Sequence, residues 1–308
     1  MNSNDRSVDE IDFQLGFDRK RFLLIDGNFL MFQSFYASSY SGQPLMTNNE
    51  GTPVNGVHVF LMTLHKLISI TNPNYIFIAF DAFGKTKRHN EYEDYKAGRT
   101  KAPEIIFPQF ALIKEILTKM NIPWKEKLGD EADDLIATLA YKTNECNNII
   151  FSKDKDLLQL VSGNTFVLRK RKANSTSYFD LISSNNFLDE YELNPSQIAD
   201  YKGIAGDPSD NLKGIQGIGH KTAIKLLQKY GSLESIFNNI NEIKGKTKDK
   251  LLEGREHGEL CKKLAILNTN VDMDLNIDLY KLNINKESLK EIFDKHSLAS
   301  TKEKFLKL

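Results

Sequence analysis

The stretch "GDEADDLIATLAYK", Gly129 to Lys142, sets Asp130, Glu131, Asp133 and Asp134 within five positions, directly before an apolar run. Helix N-termini favour carboxylates through the macrodipole, by about 0.3–1 kcal/mol each, and Asp130 is placed to act as an N-cap. That explains one or two acids. Two charges about 6 Å apart repel by about 3 kcal/mol at an effective dielectric near 20, so four need a further reason. Leu135, Ile136, Leu139 and Ala140 form an apolar stripe that draws this turn toward the core. Glu131 and Asp134 share a face, and Asp133 can reach past the helix end. A hard divalent cation with oxygen ligands would relieve the repulsion. On this segment alone, metal binding and a solvated helix start both stand open.

More carboxylates follow short apolar runs. "RFLLIDGN" reads as a strand from Phe22 to Ile25, then Asp26; "YIFIAFDAF" as Tyr75 to Phe80, then Asp81. "NNIIFSKDKDLLQLV" reads as Asn148 to Phe151, then Asp154 and Asp156. A lone Asp after a strand is ordinary turn chemistry. Three strands ending this way, beside an acidic helix start, are not.

These residues need elements to position them. Helical patterns over roughly Val54–Ile70, Pro108–Met120 and Glu131–Thr143 separate the strands, so the expected fold is α/β with a mostly parallel central sheet flanked by helices. In such sheets ligands bind beyond the carboxyl ends of the strands, where all these aspartates arrive. From about Tyr191 the pattern changes to short helices and glycine turns, with a strand expected only at "NVDMDL" near Asp272. In "GIQGIGHKTAIKLL", Gly214, Gly217 and Gly219 let backbone N–H groups approach a phosphate at a helix start. Lys221 and Lys225 add charge there, and Thr222 lies between them. A Walker A loop is excluded because His220 separates the last glycine from the lysine. A D-x-D phosphatase nucleophile is excluded by Asn28. In "KTKRHNEYEDYKAGRTK", Lys85 to Lys101, the spacing of Arg88, Tyr92, Lys96 and Arg99 predicts one helix face carrying bases and a ring, suited to a single nucleic-acid strand.

The chain has 308 residues, 40% hydrophobic and 27% charged, as in ordinary globular proteins. The N-terminus lacks the apolar core of a signal sequence, and no run reaches transmembrane length. Cys146 and Cys261 are too few and too far apart for a zinc site, which fits a cytoplasmic protein. Lys plus Arg and Asp plus Glu each number 41.

Together these segments resemble the 5′-nuclease, or flap endonuclease, family, closest to the bacterial 5′–3′ exonuclease domain of DNA polymerase I. The resemblance rests on "LLIDGNFLMFQSFYA", "VNGVHVFL", "FIAFDAFGKTKRHNEYEDYKAGR", "GDEADDLIATLA", "SKDKDLLQLV" and "GDPSDNLKGIQGIGHKTAIKLL". It implies a two-metal site, with Asp26, Asp81, Glu131, Asp133 and Asp134 around one ion and Asp154, Asp156 and Asp210 at the second, completed by Asp207. The ions implied are Mg²⁺, with Mn²⁺ as substitute. Arg88, Lys96 and Arg99 correspond to phosphate-steering bases of an arch, about 83–105. The hairpin corresponds to a helix–hairpin–helix (H3TH-type) element gripping duplex DNA, with a potassium ion.

The implied organisation is a tail at 1–18, a nuclease domain at 19–190, the helix–hairpin–helix region at 191–285 and a C-terminal helical segment at 286–308. The implied activity is structure-specific hydrolysis of DNA bearing a 5′ end or flap, including RNA–DNA primer junctions, by a monomer working beside a separate polymerase. Two rivals are a family member with an impaired second metal site acting mainly as a DNA-binding module, and a PIN-like ribonuclease. Gln33 departs from the family's usual Arg. No polymerase sequence follows Leu308, so a free-standing nuclease is expected. Setting the nine implied acids aside leaves 41 basic against 32 acidic residues; the neutral total then conceals a positive surface.

Overall fold

The computed structural model describes residue 15 and residues 19–39, 44–173 and 176–308. The expected tail at 1–18 lies outside them except for Leu15. Strand β1, Arg21–Asp26, is buried along its whole length and runs straight into helix α1, Gly27–Ser38. Asp26 makes that transition possible by capping the helix: its Oδ1 accepts from the Phe29 N–H at 2.9 Å. Gly27 is required because a Cβ there would lie 2.6 Å from the Phe80 ring.

Helix α2 (Asn55–Thr71), strand β2 (Tyr75–Asp81), helix α3 (Lys87–Glu91), helix α4 (Phe107–Lys119) and strand β3 (Trp124–Lys127) follow. Next come α5 (Ala132–Lys142), β4 (Asn147–Phe151), β5 (Thr165–Ala173) and β6 (Thr176–Ile182). The sheet order is β3-β2-β1-β4-β5-β6, parallel except for the β5–β6 pair. The chain steps from β1 to β2 on one side and later returns to place β4 on the other. The sheet therefore has its switch point between β1 and β4, where the crevice of an open α/β sheet forms.

Alternation of side chains gives the sheet two cores. Leu23, Ile25, Ile78, Phe80 and Phe151 pack with α1, α2 and α4. Phe22, Leu24, Phe77 and Ile150 pack with Leu135 and Ile136 of α5. The second part begins with α6 (Phe187–Tyr191), α7 (Ile198–Ala205), α8 (His220–Tyr230) and α9 (Leu233–Asn238). It ends with α10 (Lys246–Glu253) and α11 (Arg255–Ala265), and has its own core around Ile204, Ile215, Ile224, Leu227 and Leu251. After α11 the chain returns to the sheet, and α12 (Lys286–Lys295) and α13 (Ala299–Phe305) set Leu289, Phe293 and Phe305 into the first core.

Several expectations need correction. The face predicted for Arg88, Tyr92, Lys96 and Arg99 does not exist: the helix stops at Glu91, Tyr92 is extended and Lys96 has φ +59. Tertiary contacts override the local pattern here. Asp210 accepts the Lys96 N–H through its backbone carbonyl, and Tyr95 is buried. "NVDMDL" forms no strand. Its Val271 N–H donates to Thr138 Oγ1 at 3.1 Å, and Lys127, on the outer strand β3, bonds to Asp272 rather than opening a ladder to it. The N-cap of α5 is Glu131, not Asp130. Glu131 has the extended backbone a cap needs and forms a reciprocal capping box with Asp134.

Candidate active site

The carboxyl ends of β1, β2 and β4 and the front of α5 converge as the parallel register requires. A cavity of about 190 Å³ there is lined by Asp26, Asp81, Glu131, Asp133 and Asp154, with Lys96, Arg99, Phe29 and Phe32 completing the wall. The switch point is closed by a direct bond: Ser152, just past β4, donates to Asp26 Oδ2 at 2.8 Å. Asp81 is oriented by the Ala132 N–H at 2.8 Å and by Asn28 Nδ2 at 3.0 Å. Asp154 accepts the Asp156 N–H at 2.8 Å.

Protein cations divide the nine acids unequally. Arg88 donates to Asp134 at 2.7 and 2.8 Å, to Glu131 at 3.0 Å, and to the backbone carbonyls of Leu264 and Ile266 at 2.9 and 3.1 Å. All five guanidinium N–H donors are thereby engaged, and the side chain is only 12% exposed. Arg88 is accordingly a clamp with no donor left for a phosphate. Asp134 is equally filled, since it also accepts the Glu131 and Asn268 N–H groups. Lys96 pairs with Glu131 at 2.9 Å and Arg99 with Asp210 at 2.8 Å. Lys202, only 4% exposed, pairs with Asp156 and with Asp207 at 2.5 Å. Asp130 is buried and paired with Lys87 at 2.6 Å.

Asp26, Asp81, Asp133 and Asp154 remain as the members of the set with no ion pair among the described residues, and all four line the same cavity. In three of them, Asp26, Asp81 and Asp133, burial and like charge raise the carboxyl's hold on its proton. Burial, with Asp81 and Asp154 nearby, pushes the Asp26 carboxyl up to about 7. Burial and the neighbouring Asp154 and Asp26 push Asp133 well above the carboxylate range. Asp81 and Asp210 rise through burial. Asp156 rises to about 7, mainly through burial and despite Lys202.

Among the described residues no three acidic, His or Cys side chains stand close enough together to hold a metal ion as they are. The four uncompensated carboxylates nonetheless have the chemistry of a hard-cation site: oxygen donors, buried, mutually repelling and open to one cavity. The second expected set, Asp154, Asp156, Asp207 and Asp210, is largely held by Lys202 and Arg99.

Sequence reasoning passed over Lys202, Lys87, Ser152 and Asn268. Lys202 carried a usable signal, because it lies five positions before Asp207 on a helix otherwise turned inward. Tyr92, expected to stack on bases, faces His257 with ring centroids 6.4 Å apart. Gln33 lines a neighbouring cleft of about 350 Å³ with Lys153, Lys155 and Lys170 beside Asp154, so other segments supply positive charge near the position of the missing arginine.

The hairpin lies in the helical part. Gly219 caps α8, Lys221 and Lys225 are exposed, Thr222 is half-buried, and Gly214 and Gly217 take φ +63 and +78. Its first helix, α7, is followed by a 3₁₀ turn at Pro208–Asp210, which carries Asp207 and Asp210 to the acidic edge. One short connection thus serves both parts.

Comparison with known proteins gives two consecutive family matches: "5'-3' exonuclease, N-terminal resolvase-like domain" over residues 21–192, and "5'-3' exonuclease, C-terminal SAM fold" over 193–288. The chain belongs to the 5′–3′ exonuclease family. It is 41% identical to a 5′–3′ exonuclease of Mycoplasmopsis pulmonis, over 90% of this chain and 91% of that protein. It is 37% identical to DNA polymerase I of Bacillus subtilis over 90% of this chain but 31% of the polymerase. The fold is shared with a T5 5′-exonuclease bearing bound zinc ions, with a TM-score of 0.63 and 20% identity over 92% of this chain and all of that one. It is also shared with flap endonuclease-1 of Methanococcus jannaschii, with a TM-score of 0.60 and 19% identity over 97% and 92% of the two chains. Membership makes this chain a DNA-hydrolysing nuclease. No helix among the described residues is long and apolar enough to cross a membrane.

Proposed function

We propose that this nuclease cuts DNA at a 5′ end or 5′ flap using Mg²⁺, for which Mn²⁺ substitutes, leaving a 5′-phosphate and a 3′-hydroxyl. The observation that carries this reading is the set of four carboxylates without ion pairs, Asp26, Asp81, Asp133 and Asp154, around one cavity at the switch point. These residues would hold the ion. Divalent ions bound there supply an activated water and charge stabilisation at the departing oxygen.

The chain's own residues do the rest. Lys96 and Arg99 bring positive charge into the same cavity and, once the acids are neutralised from the other side, can turn to the scissile phosphate. Glu131 holds Lys96 until then. Arg88 fixes the acidic turn and positions rather than reacts. Lys221 and Lys225 track a duplex backbone laid on the hairpin. The division proposed is a nuclease part at 19–190 with the arch at 83–105, a hairpin region at 191–285 whose last stretch, after α11, packs back on the sheet, and a closing segment at 286–308. The likeness to DNA polymerase I supports a role beside a polymerase, in primer removal and repair; in this reading the enzyme acts as a monomer in the cytoplasm.

The test is a labelled 5′ flap, a nicked duplex, a single strand and an RNA, each with and without Mg²⁺. Flap and nick cleavage only with Mg²⁺ is expected; metal-independent or RNA-only cleavage refutes the reading.

A second reading has an observation of its own. The Lys202 ammonium between Asp156 and Asp207 favours an enzyme in which the second ion is weak or replaced. Asp156→Asn separates the two. A loss of orders of magnitude in flap cleavage at saturating Mn²⁺ supports two ions, and turnover within a few-fold of the parent supports one.

A further inference from the structure

The glycine hairpin already holds a cation of the chain's own. Gly217 has φ +78, and a Cβ there would meet Lys250 Nζ at 2.6 Å and Cε at 2.8 Å. The glycine thus makes room for a lysine as well as for a bend. Lys250 Nζ donates to the Gly217 carbonyl oxygen at 2.9 Å. Lys250 stands in the last turn of α10, so a separate helix delivers the ammonium to the turn. Lys250 and Gly217 share a cavity of about 540 Å³ with Lys213 and Gln216, and with Glu253 and His257. Glu253 is the sole carboxylate in that lining. An ammonium has three donors; one is on Gly217.

A potassium ion does not fit this arrangement well. At the same carbonyl it would stand within about 5 Å of the ammonium and be repelled by its like charge. We propose that Lys250 is itself the cation of this hairpin. Its ammonium, held by the Gly217 carbonyl, gives its remaining donors to a phosphate of duplex DNA beside Lys221 and Lys225, so the grip needs no potassium. The inference rests on the proposal above that duplex DNA lies on this hairpin.

The experiment measures binding of a labelled 5′-flap duplex to the full chain, without divalent metal, by fluorescence anisotropy. It uses potassium, sodium and tetramethylammonium chlorides at equal ionic strength, with the parent, Lys250→Met and Lys250→Arg, and records the thermal midpoint of each. The parent is expected to bind equally in all three salts. Lys250→Met should bind several-fold more weakly, with a salt slope shallower by about one phosphate contact, while Lys250→Arg keeps most of the affinity.

Parent binding that collapses when potassium is replaced overturns the proposal. So does Lys250→Met with unchanged affinity and slope. If Lys250→Met binds weakly with the parent's slope and a lowered midpoint, Lys250 is a strut and the proposal is again wrong. A parent that binds no flap duplex in any salt removes the functional reading as well, and so separates the two failures.

Discussion

Among single residues, the useful distinction is between acids that have a protein cation and acids that do not. Asp134 and Asp81 look alike in the sequence, each an Asp at the acidic edge. Asp134 has two bonds from Arg88 and two backbone donors. Asp81 has only amide donors, from Ala132 and Asn28. Asp81→Asn should therefore reduce cleavage by orders of magnitude while DNA binding survives or improves, since it removes a ligand and a repelling charge together. Single-turnover cleavage and anisotropy on the same flap check this; parallel losses of both would assign Asp81 to binding. The positions of seven of the nine acids were legible from the residues themselves, because each follows an apolar run or starts a helix, whereas Asp207 and Asp210 came only through the family resemblance. Their division was not. Most of the partners that decide it are far away in sequence: Arg88 is 43 residues from Glu131, and the Ile266 carbonyl that holds Arg88 is 178 from it. Lys202 is near Asp207 but distant from Asp156, with which it also pairs.

At the level of elements, the legible strands were those buried on both faces. β1, β2 and β4 are nearly all apolar and buried. β3, with sequence WKEK, is half-exposed, and β5 carries "RKRK" on the outer part of the sheet, where Arg169 and Arg171 pair with Asp180 and Glu190. Charges needed for those pairs hide the strand pattern. The segment after β2 failed as a helix for the opposite reason, because its turns are set by contacts with Glu131 and Asp210. Arg88 ties three such pieces, α3, the α5 start and the end of α11. Arg88→Lys keeps the charge but cannot supply five donors in a fork. Breaking a buried charged network of this kind costs about 3–5 kcal/mol, so the urea midpoint should fall markedly. A variant as stable as the parent would show that the clamp is ornamental.

For the molecule as a whole, the cluster links acidity, metal and stability. Asp26 and Asp156 release their protons at about 7 in the folded state, against about 4 in an unfolded chain. Between those values the folded protein holds protons that the unfolded chain gives up, so metal-free stability falls as pH rises from about 4 to 7. Divalent ions compete with those protons, so the rise in thermal midpoint on adding Mg²⁺ should grow across the same window. Scanning calorimetry at pH 5, 6, 7 and 8, with Mg²⁺ and with chelator, measures both trends. A Mg²⁺ increment independent of pH would place the ion elsewhere.

The return of the chain after α11 bears on how this protein can be divided. Val271 and Tyr280 rejoin the core on the α5 face, and Leu289, Phe293 and Phe305 fill the core on the other face. The α/β half is thus made of two stretches of sequence with the helical part inserted between them. A cut after residue 192 would separate one family segment from the next and still not release an autonomous unit, because the excised piece would lack its own floor. Ending the chain at 288, where the second family match stops, would leave the pocket for Phe293 and Phe305 open to water. Each such loss costs about 3–5 kcal/mol, a large fraction of a typical stability of about 5–15 kcal/mol. Truncations at either point should give insoluble or proteolysed chains.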